Sequence, residues 1–396
     1  MKNSIACCYL THNHPDIVKD VLDRSLKDYV DHGIDVCIYD DSDDELTKQL
    51  IESYRDEYDG KLYYVDVHAA VHADHKMLLI QQGYGLPKDY DYIWPVKDRV
   101  CFTASYLDKL CEALDKDPDV IIGCNETQRW DVSRPINRDI YKEPVELCRN
   151  YCFVSTNWEA TIKRRSTMLT PIDWDRYDRE YSVNMNNSFV QLISMYVRFS
   201  EMDSMTAMIV HYEPEERYIA QFGGSSWRDV MFNTWIDRWT AAIFSLPSIY
   251  DPYKLEIIKS ETNLFEVMGS VEHMMDFHAK GIFTREVFEK YINVWPVVTD
   301  IPVEWLELIV NDEFEQVIMK VMEAYDAALA EHDYLKSCNL ISANRFFSQM
   351  YDATTYHLLV ACYNRYRSDM LNNGESIVFD GISSVEDLKV KFSAYL

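Results

Sequence analysis

The sequence predicts an α/β protein in which a three-layer, Rossmann-like α/β/α domain precedes a mostly helical one. Two observations carry this. Over residues 4–123, short apolar runs alternate with stretches whose apolar residues recur at helical spacing. From Ser225 onward the helical spacing continues without intervening strand signals.

Each element follows from its residues. "SIACCYL" is a short unbroken apolar run, a buried-type strand that sends Cys7 and Cys8 to opposite faces. "HPDIVKDVLDRSLKDYVDHG" sets Ile17, Val18, Val21, Leu22, Leu26, Tyr29 and Val30 on one helical face, with Pro15 in the first turn and Gly33 as the stop. "DVCIYDDS" is a second strand, ending in acids. "DDELTKQLIESYRDEY" is a helix with Leu46, Leu50, Ile51 and Tyr54 inward. "KLYYVDV", "DHKMLLIQQG" and "DYIWPV" read as strand, short helix and strand. A helix capped near Thr103 carries Tyr106, Leu107, Leu110 and Leu114, and "DVIIG" closes the series.

The middle holds "STNWEATIKRRSTML" and the strand-like "TAMIVHY" among polar, aromatic-rich segments. Beyond it, "SSWRDVMFNTWIDRWTAAIFSLP" puts Trp227, Val230, Trp235, Trp239, Ile243 and Phe244 near one stripe, which Pro247 ends. Further helical patterns run through "EWLELIVNDEFEQVIMKVMEAYDAALAEH" and "SANRFFSQMYDATTYHLLVACYNRYRSDML". The expected domains are 1–224, with halves 1–124 and 125–224, and 225–396.

Composition narrows the functions. The 396 residues carry a net charge of −27, which repels nucleic acid and anionic lipid surfaces. No run approaches the roughly 18 apolar residues of a membrane span. The opening "MKNSIACCYLTHNH" reads as a strand and not as a signal peptide. Ten cysteines without regular spacing point to reduced thiols and a cytoplasmic setting. There is no GxGxxG and no P-loop lysine motif, against a dinucleotide site and a Walker-type NTPase.

In an open α/β sheet, ligands bind beyond the carboxyl ends of the strands. Thr11, His12, Asn13 and His14 follow the first strand here, Asp40, Asp41 and Ser42 the second, and Lys97, Asp98 and Arg99 the fourth. "IACCYLTHNHPDIVKDVLDRSL" together with "IDVCIYDDSDDELTKQLIE" resembles the opening of a bacterial family 2 glycosyltransferase of the GT-A fold. That family opens with a strand, a Thr or Ser and Asn-x-x-Pro-like turn, a helix, and a strand ending in Asp-Asp-x-Ser. The likeness continues with Lys76 on a helix and with "YDYIWPVKDR" where the family has its Asp-x-Asp, and it reaches Gly123.

The resemblance implies a nucleotide pocket of Thr11, Asn13, Asp40, Asp41 and Lys76, with Asp40 accepting from a base, usually uracil. A carboxylate suits an N–H donor because its charge strengthens the bond. The same acids also suit the start of the following helix. Lys97 and Arg99 fall where the family places two metal-binding acids. As cations they would hold the diphosphate directly, Arg by its fork and Lys as a point charge. A shift of one position would instead leave Asp98 as a lone ligand for Mn²⁺ or Mg²⁺ and a catalytic candidate. The Glu-Asp base of the family corresponds to Asn186 and Asn187, which take no proton. Glu159, Glu201 and Asp203 are the acids that could replace it, Glu159 foremost.

Other groupings point less far. His68, His72 and His75 straddle a strand end and a loop. Gln221 with Trp227 and Arg228 differs in spacing and order from the acceptor motif of processive synthases. Arg228 and Lys163 could reach a phosphate, and Trp227, Trp235 and Trp239 at helical spacing suit a core better than a sugar platform.

The expected function is transfer of a sugar from a nucleotide donor, a UDP-sugar, to a glycan or glycoprotein in bacterial surface-glycan synthesis. A helical domain would complete the acceptor cleft or form a homo-oligomer, and any membrane association would run through a partner. The competing reading is a non-catalytic GT-A-shaped scaffold. A nucleotidyltransferase would need a glycine-rich phosphate loop that this chain lacks.

Overall fold

The structure is a computed structural model, which describes residues 2–67, 73–125, 139–168, 189–221, 231–264 and 270–331, with Met268, Leu340, Asp387, Val390 and Lys391 as isolated positions. These residues fall into two compact units. The first holds 2–67, 73–125, 139–168, 189–221 and 241–252, and the second 231–240, 253–264 and 270–331.

The first unit is α/β. Its strands are β1 (Ile5–Thr11), β2 (Ile34–Asp40), β3 (Leu62–Asp66), β4 (Tyr92–Lys97), β5 (Val100–Phe102), β6 (Val120–Asn125), β7 (Ile140–Tyr141), β8 (Thr161–Arg164), β9 (Ala207–Tyr212) and β10 (Arg217–Ile219). Helices α1 (Pro15–Asp31), α2 (Leu46–Ser53), α3 (Arg55–Tyr58), α4 (Ala73–Gln81), α5 (Ala104–Leu114), α6 (Pro144–Tyr151), α7 (Arg165–Met168) and α8 (Val190–Ser200) connect them. Among the described residues one mixed sheet runs β3-β2-β1-β4-β8-β6-β9-β7, and β10 pairs with β5 in a separate antiparallel ribbon. β1 lies parallel between β2 and β4, while β8 is antiparallel to both β4 and β6.

β1 and β2 are buried along their whole length, which is what unbroken apolar runs in a covered parallel sheet require. The alternating pleat sorts β1 into two cores. Cys7 and Tyr9 face a cluster with α1 and α5, including Val21, Leu22, Tyr106 and Leu110. Cys8 and Leu10 face the opposite cluster, with Met77 and Leu78 of α4. Gly33 (φ 74°) ends α1, its N–H bonding the carbonyl of Val30 at 2.9 Å. Thr103 is the residue before α5, but its hydroxyl does not cap the helix.

Pro95 sits inside β4, where a proline usually breaks a ladder. It is tolerated because β8 pairs only with Tyr92 and Ile93, so that side of β4 is open at Pro95. The freed space is taken by the 3₁₀ turn Trp158–Ala160, whose Glu159 carbonyl accepts the Trp94 indole N–H at 2.9 Å.

The described part of the second unit is helical, with Lys254–Leu264, Val271–Ala279, Arg285–Lys290, Val303–Val310 and Phe314–Ala330 as its longer helices. Two expectations about the later helices change. The tryptophan stripe is interrupted by a π-helical stretch, Asn233–Arg238, whose wider turn rotates the residues after it. Trp239 and Ile243 are therefore buried while Phe244 is half exposed; Trp227 and Val230 lie outside the described residues. The pattern from Glu304 onward is two helices, because Asp312 takes a left-handed conformation (φ 62°) between them.

Candidate functional site

The chain leaves β1 outward to β2 and β3 and then returns to β4 on the other side of β1. Such a reversal is where α/β sheets take ligands, in the crevice beyond the carboxyl ends of the strands, here those of β1 and β4. Register fixes its floor: Thr11 lies opposite Asp40 at the ends of β1 and β2, and Leu10 lies opposite Lys97 at the end of β4.

On the β2 side the two loops are fastened together. Asn13 adopts a left-handed conformation (φ 58°), which Asn tolerates better than most residues. Its backbone N–H donates to Ser42 Oγ at 2.7 Å, its side-chain N–H donates to Asp43 Oδ2 at 2.7 Å, and its Oδ1 accepts from the Asp43 N–H at 2.8 Å. Asp40 is fully buried and accepts from the Ser42 N–H (3.0 Å) and hydroxyl (2.5 Å) and from the Tyr64 hydroxyl (3.1 Å). It does not cap α2, whose first N–H bonds Asp44 Oδ1 at 2.9 Å. Asp41 pairs through Oδ1 with Lys76 Nζ at 2.5 Å and lies 3.1 Å from His12 Nδ1. The expected nucleotide-side residues thus meet at one edge, but Asp40 is turned into the protein and Asp41 toward Lys76.

On the β4 side, one oxygen of Asp98 accepts from Thr11 Oγ1 at 3.1 Å and sits 2.9 Å from His14 Nδ1. Lys97 Nζ donates to Asn157 Oδ1 at 3.4 Å and lies 3.6 Å from Glu159 Oε2. Arg99 holds the Ala220 N–H through its carbonyl at 2.8 Å, and its guanidinium forms no ion pair among the described residues. The turn thus presents one engaged carboxylate between two cations. Hard divalent ions want several free oxygens, so these side chains do not fit one. Among the described residues no group of three or more His, Cys, Asp and Glu could hold a metal.

Glu159 is buried, with one oxygen paired to the Arg217 guanidinium and the other facing Lys97. Burial raises its carboxyl, but the charges of Lys97 and Arg217 and the Arg217 hydrogen bond outweigh that and hold it below the usual carboxylate range. A carboxylate clamped this way is a poor proton acceptor. Arg217 of β10, Asn157 and the His14–Asp98 contact had no signal in the sequence; each comes to the crevice from a distant segment.

The remaining candidates scatter. Lys163 is buried in β8, its ammonium donating to the Gln191 carbonyl at 2.7 Å. Glu201 is exposed, 3.6 Å from Arg198, and Asp203 and Gln221 are exposed. Trp235 and Trp239 meet edge to face at 5.9 Å, as core rings do. His68, His72, Asn186, Asn187 and Arg228, and the side chain of His75, lie outside the described residues.

No protein-family model and no curated protein matches this chain. Among solved structures it is similar to S. aureus TarS, with 13% identity, a TM-score of 0.43, and coverage of 79% of this chain and 54% of that one. It therefore spans about half the length of that protein. TarS 1-349 in complex with UDP gives 14% identity, a TM-score of 0.41, and coverage of 79% and 90%. The mannosyltransferase PcManGT from Pyrobaculum calidifontis, in complex with GDP-Man and Mn²⁺, gives 11%, 0.44, and coverage of 92% and 87%.

Proposed function

We propose that the first unit is a GT-A-type domain that binds a nucleotide-sugar, a UDP-sugar, and transfers the sugar to a glycan or glycoprotein acceptor in bacterial surface-glycan synthesis. One observation carries the reading. Residues from the ends of β1, β2 and β4 converge on the crevice where the sheet order reverses, and Lys97 and Arg99 are the cations at its β4 edge. In this reading Thr11, Asn13, Asp41 and Lys76 hold the nucleoside side, Asp40 fixes the loop that shapes it, and Lys97 and Arg99 meet the diphosphate. Fixed positive charge then stabilises the leaving group without Mn²⁺ or Mg²⁺. A setting on the cytoplasmic side, with membrane contact through a partner and self-association through the helical unit, belongs to the same proposal.

One observation favours a second reading, a non-catalytic nucleotide-binding subunit: Glu159, the foremost acid for a base, is held ionised between two cations. Calorimetric titration of UDP and UDP-sugars with Mn²⁺ and with EDTA tests both. Binding unchanged by EDTA and lost on Lys97→Ala or Arg99→Ala supports the metal-independent site. Donor hydrolysis separates the transferase from the subunit, and absence of binding in both conditions refutes the nucleotide-sugar reading.

A further inference from the structure

Beneath the crevice lies a buried charge group that no catalytic role accounts for. Glu159 has both carboxylate oxygens committed to cations, yet Oε2 receives no hydrogen bond and Lys97 stands off at 3.6 Å. Arg217 binds Glu159 Oε1 through Nη2, while its Nε is buried and finds no acceptor. Two cations thus share one anion, and two buried polar atoms are left over. In a low-dielectric setting a partly satisfied network of this kind is costly. Its leftover capacity is for negative charge: a guanidinium N–H without an acceptor, and an ammonium on the half-exposed rim whose tether is long.

The arrangement is held firmly. β10 carries Arg217 and pairs with β5 immediately after the Lys97–Arg99 turn, with Arg217 opposite Phe102. The Trp94 indole fixes the Glu159 backbone from β4 itself. Lys97 at the end of β4 and Arg217 on β10 therefore reach the two oxygens of the same carboxylate from separate sheets, with Glu159 between them.

We propose that Lys97 and Arg217 form a cradle for a diphosphate, and that Glu159 is a positioning residue that holds the two cations in place before the ligand arrives. This rests on the nucleotide-sugar reading for its ligand and adds Arg217 to the site. On binding, the diphosphate takes over Lys97 and meets the part-exposed guanidinium of Arg217, whose Nη2 stays on Glu159. Glu159 competes with the ligand for Lys97, so its charge weakens anion binding while its geometry organises it.

The test is titration of inorganic pyrophosphate, uridine and UDP into wild type, Glu159→Gln, Arg217→Gln and Arg217→Lys, with melting temperatures to confirm folding. Gln keeps the shape of Glu159 and removes its charge. Glu159→Gln should bind pyrophosphate and UDP about threefold or more tighter with uridine unchanged, because one unit of like charge near the ligand is gone. Arg217→Gln should lose roughly tenfold for both phosphates and nothing for uridine, and Arg217→Lys should recover part of that loss. Phosphate affinities that do not respond to either position, or that shift together with uridine, overturn the cradle and leave a structural ion pair. UDP binding no tighter than pyrophosphate, with both variants behaving as expected, instead leaves the cradle standing and sinks the nucleotide reading.

Discussion

Replacing Lys163 by Met should make the first unit more stable at neutral pH and flatten its dependence on pH. Lys163 sits in β8, directly opposite Ile93 of β4 and Val120 of β6, fully enclosed, with the Gln191 carbonyl as its hydrogen-bond acceptor. No acid forms an ion pair with it among the described residues. Burial pushes its ammonium down from 10.5 to about 7. At about 1.4 kcal/mol per unit, the cost of burying the charge is on the order of 5 kcal/mol.

Proton counting sets the sign. Below pH 7 both folded and unfolded chains hold the proton, and the full cost is present. Between 7 and the unfolded value the unfolded chain keeps a proton that the folded chain has lost, so stability rises with pH. Buried thiols and phenols such as Cys7 and Tyr9, raised by desolvation, act in the opposite direction as pH climbs. The informative quantity is therefore the difference between wild type and Lys163→Met in urea unfolding at pH 7, 8 and 9. Met removes the charge cost but leaves the Gln191 carbonyl without its donor, a loss of about 1–2 kcal/mol. Expected is a gain of about 3 kcal/mol for the variant at pH 7, shrinking by about 2–3 kcal/mol by pH 9. Equal slopes in the two proteins, or a variant weaker at pH 7, would refute the argument.

Further expectations can be checked by the same unfolding assay. Gly123→Ala should destabilise the sheet by about 1–3 kcal/mol, since a Cβ there would lie 2.4 Å from the Tyr106 hydroxyl. That hydroxyl is buried without a partner, so Tyr106→Phe alone should cost little and should rescue Gly123→Ala. Gly85→Ala combines a φ of +69° with a Cβ 2.4 Å from Val65 Cγ1, and a cost above about 1 kcal/mol is expected. Asp35→Ala removes the buried acceptor shared by Lys61 (3.0 Å), Lys88 (2.7 Å) and the Tyr90 hydroxyl (2.8 Å). Losing it should lower stability by about 2–3 kcal/mol, with Tyr90→Phe in the same background giving part of that back.

Much of the first unit could be read from residue order because its long strands are covered on both faces and spell unbroken apolar runs. β5, β7 and β10 could not: two or three residues make no periodic signal, and their pairing is set by partners far away in sequence. The break at Asp312 has no Gly or Pro to announce it, and the π-helical stretch shifts a stripe that residue spacing alone would continue. At the site, residues that end strands were legible, since strand ends in an α/β sheet face ligands. Whether a carboxylate at such an end points outward is a matter of neighbours: Tyr64 and Ser42 turn Asp40 inward, and Arg217 with Lys97 neutralises Glu159.

The ribbon of β5 and β10 has a bearing on the order in which the protein matures. Thr11, Asp41, Lys76 and Asp98 all leave the ribosome early and can organise as soon as β4 docks against β1. Arg217 joins them only when the chain has returned past β9; the neighbouring Tyr218 closes onto Asp20 across a separation of 198 residues. Contacts this distant in sequence form slowly. A nascent or partly folded chain would therefore join Thr11 to Asp98 and Asp41 to Lys76 well before Arg217 reaches Glu159, and until then the buried carboxylate would have Lys97 alone as its counter-charge.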